Sequence, residues 1–92
     1  MELRLPAVLT HAQANQCVRA LLAALRLGQS GPDVVVNASA LRHFDSSALA
    51  VLLECRRFCV ALDLSFTVAG LPPRLRQLAG LYGVAALMPA PS

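Results

Sequence analysis

The 92-residue chain has no lysine and no tryptophan, and only one tyrosine, three phenylalanines and three cysteines. Each shortage closes off a class of function. Its eight arginines are scattered, with Arg56 beside Arg57 and Arg74 near Arg76 as the close pairs. A surface that tracks nucleic acid clusters its cations and interleaves aromatic rings for stacking, so nucleic acid is not an expected partner. Cys17, Cys55 and Cys59 are an odd number in a chain without a secretion signal, and no disulfide framework is expected. Cys55 and Cys59 stand one helical turn apart with no histidine close by, which makes no metal site and leaves them as small buried hydrophobes. No run reaches the roughly 18 apolar residues that a membrane span requires, because "ALAVLL" stops at Glu54 and "ALLAAL" at Arg26. The opening "MELRLPAVLT" has Glu2, Arg4 and Pro6 where a signal peptide needs a basic start and an unbroken apolar segment, which points to the cytoplasm.

What the chain does have is apolar bulk. The hydrophobic fraction of 57% exceeds the roughly 45 to 50% usual for soluble domains, mostly through sixteen alanines and eighteen leucines. Some of that surface is expected to serve a partner. The length suits one small domain over residues 1–92, with room for one core and no separate catalytic unit.

Along the chain, "LRLPAVL" alternates loosely and is broken by Pro6, which predicts an edge strand or two short strand pieces. Thr10 and Gln13 have capping-box spacing, and Ala14, Cys17, Val18, Leu21, Leu22 and Leu25 then recur on one helical face, with Gly28 suited to the stop. After a turn at "QSGPD", "VVVNAS" is a short β-branched run with the look of a parallel strand buried on both faces. A second helix is expected to start at Asp45 to Ser47, with Ala48, Leu49, Leu52, Cys55, Cys59 and Leu62 on its apolar arc and Ser46, Ala50, Glu54, Arg57 and Ala61 opposite. "LDLSFTVAG" predicts a strand with Leu64, Phe66 and Val68 on one side and Ser65 and Thr67 on the other. "LPPRLRQLAGLYG" predicts a third helix with Leu75, Leu78 and Leu81 or Tyr82 inward and Gly83 at its end, and "VAALM" a further strand. Strands and helices alternating in units of about 30 residues specify an α/β layer fold with a largely parallel or mixed sheet.

The chemistry-bearing stretch is "RHFDSSALAVLLECRR", residues 42–57. As an enzyme site it would need His43 to bridge Ser46 and Asp45 in space, with an oxyanion hole and a cleft. Adjacency in sequence supplies none of that, and no glycine-rich phosphate loop or nucleophile elbow is present. As structure, Asp45 and Ser46 are good acceptors for the free N–H groups at a helix start. A cap does not account for the strip of small and complementary residues below it, Ser46, Ala50, Glu54 and Arg57. His43 reads as a solvated loop residue or a rim contact, and Tyr82 as a ring packed under the third helix with a hydroxyl able to reach a partner.

Strand "VVVNAS", loop "ALRHF" and helix "DSSALAVLLECRR" together resemble the signature loop and helix of STAS domains, with Asp45, Ser46, Ser47, Ala48 and Leu49 matching in order. Position 48 is alanine where many sigma-regulator members have glycine. The downstream "VAGLPPRLRQLAGLYGV" is more similar to the MlaB-type branch, and the likeness runs from about Leu3 to Leu87. The resemblance implies a STAS-like α/β fold, a mixed sheet of about four strands with about three helices packed on it. It implies a non-enzymatic protein without cofactor or metal. It places partner binding on Arg42, His43, Asp45, Ser46 and Ser47, continued along the helix by Ala50, Glu54 and Arg57. In the MlaB-type branch the partner is the MlaF-like ATPase subunit of a phospholipid-transporting ABC system, in complex with its permease, which would hold the protein peripherally at the inner membrane. In the anti-sigma-factor antagonist branch the partner is an anti-sigma-factor kinase that phosphorylates the residue matching Ser46.

Overall fold

Pro6 divides the N-terminal segment in the expected way, and the two pieces take different partners. The computed structural model describes residues 1–27 and 31–91. In chain order it contains strand β1 (Glu2–Arg4), β2 (Val8–Leu9), helix α1 (His11–Leu27), β3 (Asp33–Asn37), β4 (His43–Phe44), α2 (Ser47–Ala61), β5 (Ser65–Ala69), α3 (Pro73–Leu81) and one 3₁₀ turn over Ala85–Leu87. The α/β class and the three helices are as expected. All strand pairings are parallel, and the strands divide into a three-stranded sheet ordered β1-β3-β5 and a two-stranded one, β2-β4, in place of about four strands in a single mixed sheet.

Alternation along the strands decides which side the helices cover. Leu3, Val34, Val36, Phe66 and Val68 are buried on one face of the three-stranded sheet. Glu2, Arg4, Val35, Asn37, Ser65 and Thr67, which alternate with them, are exposed or half-buried. The expected burial of "VVVNAS" on both faces is therefore met on one face only, because all the apolar helix stripes lie on the same side. That inner side joins Leu21 and Leu25 of α1, Ala48, Leu49, Val51, Leu52, Cys55 and Cys59 of α2, and Leu75 and Ala79 of α3 in one core cluster. Leu9, Leu52 and Leu75 are among the largest fully buried side chains, each stabilising by roughly 1.5 to 3 kcal/mol relative to exposure.

The cysteines behave as small hydrophobes. All three are free, with Cys55 and Cys59 buried and Cys17 partly so. Burial pushes the Cys55 thiol up to about 12, and the thiols of Cys59 and Cys17 are also raised by burial. Little thiolate exists near neutral pH, so none is activated for chemistry.

Three expectations change near element ends. Leu62 is the C-cap of α2 and stays 49% exposed, because the chain turns there: Leu64 N–H donates to Cys59 O (2.8 Å), Asp63 N–H to Val60 O (3.1 Å), and Asp63 takes φ +61°. Helix α3 buries Leu75 and Ala79, four residues apart; Leu81 (82% exposed) lies off that stripe, and Tyr82 (61%), although in line with it, is the C-cap beyond the last helical residue. Gly83 does end α3, at φ +73°, with Val84 N–H bonded to Ala79 O and its own N–H to Gly80 O. "VAALM" forms no strand: the chain coils into the 3₁₀ turn, Met88 is buried, and Pro89 O accepts one bond from the β5 edge at Val68 N–H (2.8 Å). Gly28, expected to stop α1, lies outside the described residues, as do Gln29 and Ser30 of the "QSGPD" turn.

Candidate functional site

The loop in front of α2 is built by backbone groups that have no helix to satisfy them. Ala7 O accepts from the N–H groups of both Arg42 (2.8 Å) and His43 (3.0 Å), and His43 and Phe44 then pair with Val8 and Leu9 as β4 against β2. Arg42 Nη1 donates to Ser39 O and Leu41 O, both at 3.0 Å, so this guanidinium curls over its own loop and fixes its shape. At the start of the loop, Asn37 Oδ1 accepts from Ser39 N–H (2.9 Å) and Ser39 Oγ (2.6 Å), which turns the chain out of β3.

Asp45 provides the cap, and for two helices at once. Its Oδ1 accepts from Ser47 N–H at 2.8 Å, while its Oδ2 accepts from His11 N–H at 3.1 Å, at the beginning of α1. Thr10 does not fill that role, because its hydroxyl and amide are both donated to Gln13 Oε1 (2.8 and 3.0 Å), half of the expected capping box. The Ser47 N–H foremost, and also the His11 N–H, hold the Asp45 carboxyl below the usual aspartate range against the opposing effect of desolvation. Since its folded-state value lies below the unfolded one, the stabilisation is complete above the ordinary aspartate value of about 3.9 and is lost as pH falls through the folded value. Asp45→Ala is expected to lower the melting temperature at neutral pH, and the gap from the parent protein is expected to close as melts are repeated below about pH 4. A gap unchanged across that range would mean the carboxylate is not the acceptor.

Ser46 does not share the capping. Its backbone is already helical (φ −62°, ψ −15°) and its side chain makes no cap hydrogen bond, because a cap side chain reaches the next N–H groups from an extended backbone. The Ser46 residue is exposed. It heads a strip whose next members on α2 are exposed Ala50, half-buried Glu54 and exposed Arg57, with Glu54 and Arg57 joined by an ion pair at 3.2 Å. Ser47 and Phe44 are half-buried, and the exposed His43 stands on the rim. The structure thus places Arg42, His43, Asp45, Ser46, Ser47, Ala50, Glu54 and Arg57 along one loop and one helix face.

The catalytic reading finds no geometry here. Both Asp45 oxygens are taken by backbone amides, and neither His43 nor Ser46 is among its hydrogen-bond partners. Among the described residues, no group of three or more His, Cys, Asp or Glu side chains could hold a metal ion. No helix among them is long and apolar enough to cross a membrane.

Two neighbours of the site are absent from the sequence-based set. Arg74, in the first turn of α3, lies over the Phe44 ring at 5.5 Å from its centroid and so sets a cation beside the loop. His11 contributes its amide to Asp45 across 34 positions of sequence. No spacing rule connects either pair.

The family comparison agrees with this architecture. A family model described as "Mlab, STAS domain" matches residues 1–89. No curated protein matches the chain. The match spans the three-stranded parallel sheet, all three helices and the Asp45-capped loop, and the chain belongs to the STAS domain family.

Proposed function

We propose that this chain is a STAS subunit of the MlaB type, which docks on the ATPase subunit of a phospholipid-transporting ABC transporter and supports its activity. The family description over residues 1–89 is the observation that carries this reading. The loop and strip support it physically. A loop held by six hydrogen bonds that involve backbone atoms, two on Ala7 O, two from Arg42 Nη1 and two on Asp45, needs little ordering on binding. An exposed alanine at position 50 lets a partner helix approach closely, flanked by Glu54 and Arg57 for matching charge. On this reading Arg42 and Asp45 shape the surface, while Ser46, Ala50, Glu54, Arg57 and the rim residue His43 touch the partner. The protein works without cofactor in the cytoplasm, held at the inner membrane through the ATPase and permease.

A second reading is favoured by one specific feature, the exposed Ser46 hydroxyl that does no structural work. It is antagonism of an anti-sigma factor whose kinase phosphorylates Ser46. A phosphate of about −1.5 to −2 charge is tolerated at a helix N-terminus yet places bulk and charge, next to Asp45, in the contact.

Ser46→Glu is expected to weaken docking at least tenfold while shifting stability by no more than about 0.5 kcal/mol, the usual range for a surface substitution that removes no cap hydrogen bond and no core contact. Co-purification with the ATPase subunit, alongside a thermal melt, measures both. Undiminished capture of the ATPase by this variant would remove Ser46 from the interface. Capture of an anti-sigma kinase in place of the ATPase would select the second reading.

A further inference from the structure

Among the described residues, the β1 edge of the sheet carries outward backbone groups that no other strand pairs. On β1, Met1 O accepts from Val35 N–H (2.9 Å) and Leu5 N–H donates to Asn37 O (3.0 Å), so the odd-numbered residues face β3. Strand geometry alternates these directions, which turns the N–H and C=O groups of Glu2 and Arg4 outward, away from the sheet. An open edge of this kind is a template for another strand.

We infer that the β1 edge is the seam of a homodimer, in which two copies pair antiparallel about a two-fold axis through Leu3. The first ground is hydrogen-bond register. With Leu3 opposite Leu3 of the second copy, Glu2 lies opposite Arg4 and Arg4 opposite Glu2, and these are the residues with outward groups. Each such pair exchanges both of its bonds, giving four across the seam. The second ground is charge. The Glu2 and Arg4 side chains share the uncovered face of the sheet, where Arg4 Nε meets Glu2 Oε2 at 3.2 Å within one chain, and Asn37 Nδ2 donates to the same oxygen. Across the seam every glutamate meets an arginine, so the "ELR" stretch is complementary to itself, as a two-fold interface requires. A strand of another protein has no reason to supply that order. The third ground is the surface beside the edge. A groove of about 410 Å³ runs between it and α1, walled by Leu5, Val8, Cys17 and Ala20, and leaves Val8 40% exposed. The partner's equivalent wall closes on it. This seam is separate from the Ser46 strip and does not depend on the proposed function.

Sedimentation equilibrium of the untagged full chain over a dilution series tests the seam. A reversible dimer is expected. Glu2→Arg opposes two arginines at each pair and Arg4→Glu opposes two glutamates, and either change is expected to weaken association by about tenfold or more. Mixing the two singly reversed chains, which complement each other, should restore a dimer, and so should the doubly exchanged chain E2R/R4E. Thermal melts of each variant establish that the monomer remains folded. A parent protein that stays monomeric at every concentration overturns the inference. So does a dimer indifferent to both reversals, or one not rescued by mixing; groove occupancy by another molecule without dimerisation overturns it equally.

Discussion

Ala50→Arg is expected to abolish co-purification with the proposed ATPase partner while leaving the melting temperature within a degree or two of the parent. Ala50 lies one turn below Ser46 on the outer face of α2 and is exposed, so an arginine there meets solvent in the free protein. Alanine and arginine are both good helix formers, differing by only a few tenths of a kcal/mol, and the local fold has no reason to change. Against a docked helix or loop the position is different. On the proposed reading the contact surface is shaped around one methyl group, and an arginine there either holds the partner away or buries its charge, with Glu54, one turn on, already paired to Arg57. Central interface positions of this kind cost about 2 kcal/mol or more, roughly thirtyfold in Kd. Reversing the exposed charge with Arg57→Glu should give a smaller loss, since the Glu54–Arg57 ion pair contributes little to stability and much of its effect is on orientation and on-rate. If Ala50→Arg and Arg57→Glu both bind at full stoichiometry, the docking face lies elsewhere on the molecule.

Gly70→Ala should be the most damaging small substitution outside the core. Gly70 follows β5 at φ +68°, and a Cβ placed there would sit 2.8 Å from Ser39 Cβ and 3.1 Å from Ser39 Cα and N. A left-handed alanine costs roughly 1 to 2 kcal/mol by itself, and overpacking adds roughly 1 to 3 kcal/mol. A total loss of about 2 to 5 kcal/mol is expected from chemical denaturation. The damage should also reach docking. Ser39 is clamped to Asn37 Oδ1, and its carbonyl accepts from Arg42, so pushing Ser39 away disturbs the base of the loop that carries Arg42 to Ser46. Gly80, where an added Cβ meets nothing, is the control: Gly80→Ala should be neutral or slightly stabilising within α3. Equal stability of the two variants would show that Ser39 yields freely.

Local patterns were legible in the sequence wherever one element's own residues decide the outcome. The α1 stripe from Ala14 to Leu25, the break at Pro6, the α2 start at Asp45 to Ser47 and the Gly83 stop all rest on spacing or backbone preference within a few residues. The misplaced residues sit where an element ends. Leu81 and Tyr82 continue the leucine period of α3, but the core contact is made by Leu75 and Ala79, and alanine carries too weak a signal to mark a buried stripe. "VAALM" has strand-like composition, and only the fold shows that a buried Met88 and the turn at Gly83 draw it into a 3₁₀ coil. At the candidate site, the motif located the loop and helix but not the division of labour. Asp45 and Ser46 are equivalent as cap residues on paper. They separate because Ser46 is already helical and because an amide of α1, distant in sequence, arrives at the second Asp45 oxygen.

The bond from Val68 N–H to Pro89 O has a consequence for how far assembly can go. It occupies the β5 side of the sheet with a segment whose Pro89 and Pro91 have no N–H to offer a further strand. One border of the sheet is thereby covered at Val68, and the other is left open. Two chains joined through β1 would form one continuous sheet of six strands with a proline-bearing segment beside the border at either end, an arrangement that disfavours addition of a third copy.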